Sequence, residues 1–68
     1  MIDKMFNKRK SLILVADDSR FMRFTLREFL ENDGYEVVEA ENGMQALSLF
    51  KELKPDIILM DFMMPEID

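Results

Sequence analysis

The chain has 68 residues, 49% of them hydrophobic, with nine Lys and Arg against fourteen Asp and Glu, and neither His nor Cys. This bounds it to one small domain with a marginal single core, and excludes disorder throughout, a disulfide framework and any thiolate or imidazole metal site. The formal charge of -5 favours cationic over anionic ligands.

Residues 1–10 read as a basic leader, since Lys4, Lys8, Arg9 and Lys10 fall there. From Ser11 onward five basic residues face thirteen acidic ones, a charge of -8. That body should repel nucleic acid and anionic membrane. No run is long enough to insert into a membrane, and the leader lacks the apolar stretch of a signal peptide, so a cytoplasmic location is expected.

Past the leader, Leu12-Ile13-Leu14-Val15-Ala16 is a short apolar run suited to a strand buried on both faces of a parallel sheet. Asp17-Asp18 follows, and Ser19 stands where a helix N-cap should. The helix runs to about Asn32, with Met22, Leu26, Phe29 and Leu30 as its apolar stripe. Gly34 is placed to stop it in a left-handed conformation. Residues 35–40 read as a second strand centred on Val37 and Val38. Asn42-Gly43 signals a turn, and a second helix is predicted over 44–53, with Ala46, Leu47, Phe50 and Leu53 on one side and Pro55 ending it. Ile57-Ile58-Leu59-Met60 is a third apolar strand, ending in Asp61. The order is β-α-β-α-β, an α/β fold with connections of ordinary length and no second domain.

Ligands of open parallel sheets collect beyond the carboxyl ends of the strands. Adjacent first and third strands would therefore bring Asp17, Asp18 and Asp61 together. Three carboxylates at one spot repel unless a cation joins them or one takes up a proton. Taken alone, Asp17-Asp18 is more simply a solvated loop with a helix-capping acid; aligned with Asp61, the group becomes a candidate cation site.

The segments Val15-Ala16-Asp17-Asp18-Ser19, Glu39-Ala40-Glu41-Asn42-Gly43 and Pro55-Asp56-Ile57-Ile58-Leu59-Met60-Asp61-Phe62-Met63-Met64-Pro65 resemble the receiver domain of two-component response regulators, in particular the chemotaxis regulators of that family. The resemblance covers residues 11–68. It implies a flavodoxin-like, doubly wound parallel sheet with strand order 2-1-3, here its first half, ending after the third strand. It implies that Asp61 accepts a phosphoryl group from a sensor histidine kinase or phosphotransfer protein. It also implies that Asp17, Asp18, Asp61 and the backbone carbonyl of Met63 hold Mg²⁺, with Mn²⁺ as a substitute; Asp18 and Asp61 would touch the ion directly and Asp17 mostly through water. Such a module is not an enzyme on a separate substrate, though it can catalyse its own phosphorylation.

The family's hydroxyl residue on a fourth strand and Lys on a fifth have no counterpart in these 68 residues, so self-phosphorylation should be slow. The third strand reads as a central strand but would lie at an edge, inviting pairing with a second copy, with a homodimer or higher association as the result. A self-associating half-domain without catalysis is therefore the alternative function. A metal-dependent phosphatase is a weaker third reading, because those sites commonly pair acids as Asp-x-Asp and Asp61 is followed by Phe62-Met63. Phe21 and Phe24, off the core stripe beside Arg20 and Arg23, are candidate partner contacts or ordinary surface aromatics.

Overall fold

The computed structural model describes residues 10–61. The leader residues 1–9 and the segment 62–68, which includes Met63, lie outside the described residues. The elements are β1 (Leu12–Ala16), α1 (Arg20–Asn32), β2 (Glu36–Ala40), α2 (Gly43–Leu53) and β3 (Ile57–Met60). The sheet is parallel throughout, in the expected order β2-β1-β3.

Parallel neighbours require crossovers, and crossovers are right-handed. The chain steps from β1 to β2 in one direction, then back across β1 to β3. The two helices consequently cover opposite faces, and alternate residues of the central strand meet different helices. Leu14, Ala16 and Ala40 are buried with Ala46 of α2, flanked by Val38 and Leu49. Ile13, Val15 and Val37 are buried on the other face, beneath Leu26 and Leu30 of α1 and Tyr35.

The helix termini have identifiable causes. The Ser19 hydroxyl accepts from the Met22 amide at 3.2 Å, capping α1 as expected. At its far end the Tyr35 amide donates to Leu30 O at 3.1 Å and Gly34 to Glu31 O at 3.0 Å. With Gly34 at φ 95, these two bonds make a Schellman motif, and Leu30 and Tyr35 both pack against the same buried cluster. Tyr35 is thereby part of the helix stop, and β2 begins one residue later than the sequence suggests. Asn42 does more than turn the chain: its side chain accepts from the Gln45 amide at 2.9 Å, and Gln45 Oε1 accepts from the Glu41 amide at 2.8 Å. This reciprocal arrangement starts α2 at Gly43. Lys54 rather than Pro55 closes that helix, in the left-handed region at φ 49. A residue before proline is disfavoured in the right-handed helical region, so Pro55 discourages the helix from continuing past Leu53.

Both expected helix stripes are only partly right. Leu26 and Leu30 pack on the sheet, but Met22 and Phe29 are 40% and 69% exposed. The reason is rotation: α1 lies over β2 and β1, which turns the Arg23–Arg27–Leu30 flank inward and Phe29 away from β2. Likewise α2 buries Ala46 and seats Leu49 against the core, while Leu47, Phe50 and Leu53 remain exposed. Neither helix packs substantially on β3. All four β3 side chains are 38–41% exposed, and among the described residues that strand pairs with β1 alone. A strand whose sequence reads as central is thus an edge, as expected.

Candidate functional site

The register explains the convergence of the acids. Ala16 lies opposite Met60, so the next residue of each strand, Asp17 and Asp61, leaves the sheet side by side. The Asp61 amide donates to Ala16 O at 3.0 Å and the Asp17 amide to Ala40 O at 3.1 Å. Each extends a ladder by one bond, fixing the backbone just where the carboxylates begin. The site occupies the crevice where strand order reverses, the general position for ligands in such sheets.

One carboxylate oxygen from each of Asp17, Asp18 and Asp61 lies within 4.8 Å of the others. Asp17 and Asp61 are half-buried and Asp18 is exposed. All three expected side chains are therefore brought together; the fourth expected ligand, the Met63 carbonyl, falls outside the described residues. Oxygens bound at about 2.0–2.1 Å around an octahedral Mg²⁺ are ~3 Å apart when adjacent and ~4 Å when opposite. The cluster therefore fits a small hard cation after modest side-chain rotation. An all-oxygen donor set suits Mg²⁺ or Mn²⁺ and disfavours the softer metals that choose thiolate or imidazole.

The loop carrying Asp17 and Asp18 is held on several sides. The Ser19 amide donates to Asp17 Oδ1 at 2.9 Å, which orients that carboxylate. Arg23 Nη1 donates to the Asp17 carbonyl at 2.9 Å, and Arg23 Nε donates to Glu39 Oε1 at 3.0 Å. Arg27 donates to the second oxygen of Glu39, to Val37 O at 3.1 Å and to Glu31 at 3.1 Å. Bonds to Glu31 first, then to Glu39, raise the Arg27 pKa, so the guanidinium stays charged.

Sequence reasoning missed this network and grouped Arg23 with the surface of α1. Its side chain is instead 11% exposed. The available signal was an Arg one turn beyond the N-cap Ser19, together with a Glu just before the last residue of the next strand. Phe21 and Phe24 do stand outside the core, at 73% and 58% exposed.

Two open clefts flank β3. One, of about 250 Å³, lies between α2 and the sheet and is walled by Leu14, Met44, Leu47, Phe50 and Ile58. The other, about 240 Å³, runs from Leu26 and Leu59 to Asp17 and Asp61, adjoining the acidic cluster. Among the described residues no helix is long and apolar enough to cross a membrane.

Comparison with known proteins agrees with this geometry. Residues 13–68 match the response regulator receiver domain family. The chemotaxis protein CheY of Bacillus subtilis is 51% identical over 57 residues, covering 82% of this chain and 48% of that protein. CheY of Thermotoga maritima is 49% identical over 57 residues, with the same coverage. The structure of the chemotaxis response regulator CheY4 of Vibrio cholerae superposes with a TM-score of 0.81 at 33% identity, covering 84% of this chain and 48% of that one. The fold is thus the flavodoxin-like one of that regulator, and the chain spans about half the length of the relatives it matches. A parallel sheet with an acidic triad at its reversal point and a family match from Ile13 onward lead to one conclusion: the chain belongs to the response regulator receiver domain family.

Proposed function

We propose that residues 11–68 act as a phosphoacceptor signalling module, taking a phosphoryl group onto Asp61 from a phosphohistidine of a sensor kinase or phosphotransfer protein. The observation that carries this reading is the convergence of the Asp17, Asp18 and Asp61 carboxylates at the sheet's reversal point. An Asp61 carboxylate oxygen would attack phosphorus, forming the acyl phosphate as the P–N bond breaks and its electron pair stays with the imidazole. Asp17, Asp18 and Asp61, with the Met63 carbonyl, would hold Mg²⁺. When bound, the cation neutralises charge on the transferring oxygens. Asp61, half-buried and backbone-anchored to Ala16, is held in one place for in-line attack. Asp18, exposed at the rim, is the acid most accessible to an arriving ion. Phe21 and Phe24 on the outer side of α1 offer aromatic anchors for the donor protein. A cytoplasmic location and modest self-catalysis belong to the same reading. Addition of beryllofluoride, a phosphoryl mimic, tests it: Mg²⁺-dependent bound ¹⁹F resonances are expected, and their persistence in Asp61→Asn would refute the assignment.

A second reading is favoured by the exposed β3 edge. Its residues Ile57, Ile58, Leu59 and Met60 carry no charge, and the apolar cleft between α2 and the sheet lies beside it. Association of two copies through this edge would bury it. Sedimentation of the purified chain as a concentration-independent monomer would remove this reading.

A further inference from the structure

We propose that Arg23 is the positioning residue of the acidic cluster: anchored on Glu39, its guanidinium holds the Asp17 backbone so that the three carboxylates converge. The consequence for metal binding rests on the reading above; the structural part does not. Residues 17–19 form the whole connection between β1 and α1, so any freedom there is freedom of Asp17 and Asp18. The ladder bond to Ala40 fixes the Asp17 amide and the Ser19 amide fixes its carboxylate. Neither bond touches the Asp17 carbonyl, which sets the tilt of the peptide leading on to Asp18. Arg23 does.

The guanidinium is itself well held. Its Nε bond to Glu39 is charge-assisted, and the Arg23 and Glu39 side chains are only 11% and 25% exposed. Glu39 is gripped from its other oxygen by Arg27, which also bonds the β2 backbone at Val37. A continuous set of fixed groups therefore runs from β2, through one face of α1, to the site loop. A planar fork can bond a carbonyl and a carboxylate at once, which an ammonium cannot do in the same geometry.

Charge alone predicts the opposite effect. A guanidinium beside the loop repels an incoming cation, so its removal should tighten binding if Arg23 were merely a nearby charge. As a positioning group, its removal should weaken binding. The sign decides.

The experiment uses the full chain with Arg23→Met, Arg23→Lys and Glu39→Gln. Two quantities are read: Mn²⁺ affinity from the signal of free Mn²⁺ in electron paramagnetic resonance, and metal-free amide exchange at Ser19 relative to Val15. Arg23→Met should raise the Mn²⁺ dissociation constant about tenfold to a hundredfold, as loss of groups supporting metal ligands does. It should also speed exchange at Ser19 while leaving Val15 protected. Arg23→Lys should recover part of both, and Glu39→Gln should fall between. Equal or tighter Mn²⁺ binding by folded Arg23→Met overturns the proposal. If Arg23→Met does not fold, the other two variants decide: parental affinity and parental Ser19 exchange in both overturn it. If the parent chain binds no Mn²⁺, the metal reading fails, and the exchange data alone then support or overturn the positioning role.

Discussion

Replacing Ile58 by Lys tests whether the bare edge of β3 associates. Ile58 is 41% exposed, or about 80 Å², worth up to about 2 kcal/mol per copy at ~25 cal/mol per Å² if a partner covers all of it and about half that if it covers half. A two-fold contact loses that twice, so the dimer should weaken by about 2–4 kcal/mol, or roughly 30- to 1,000-fold in Kd. The fold should suffer less. Ile58 sits beside Leu14 at the rim of an open cleft, where the Lys stem can lie along apolar surface and carry its ammonium to water. Dissociation without unfolding is therefore expected. Sedimentation velocity from micromolar to millimolar concentration reads the first effect and thermal circular dichroism the second. A parent chain that stays monomeric at millimolar concentration, or a variant sedimenting just as the parent does, would refute the edge argument.

Four further substitutions probe the site and the scaffold. Asp18→Ala should weaken Mn²⁺ binding more than Asp17→Ala, because Asp17 already accepts from Ser19 and is expected to reach the ion mostly through water; the reverse order in calorimetric titration would exchange their roles. Leu14→Ala, at a fully buried position of the central strand, should cost about 2–5 kcal/mol, and urea denaturation showing under ~1 kcal/mol would mean that the core collapses around the gap. Gly34→Ala meets no atom within 4 Å, so any loss comes from backbone at φ 95, about 1–2 kcal/mol; a neutral result would show that the helix stop relaxes.

The sequence was most legible where one residue type has one local job. Ser19 before a helical stripe, Gly34 after it and two apolar runs ending in Asp each behaved as their chemistry requires. It was least legible where the outcome depends on which neighbour an element meets. Periodicity puts Phe29 in the stripe of α1, yet it cannot say that the helix leans toward β2 and leaves Phe29 outside. The same holds for Leu47 and Phe50, which wall a cleft rather than fill a core. Arg23 and Glu39, sixteen residues apart, pair only because the crossover lays α1 against β2. Lys54 has no propensity for the left-handed region it adopts; the following Pro55 only disfavours the right-handed helical alternative.

Phosphorylation itself is the most direct test. The 68-residue chain incubated with acetyl phosphate and Mg²⁺ should gain the mass of a single phosphoryl group. The gain should vanish with EDTA and in Asp61→Asn, since an amide cannot form the acyl phosphate. A phosphoryl group that still adds to Asp61→Asn, or that adds to the parent chain equally well without a divalent cation, would contradict the account.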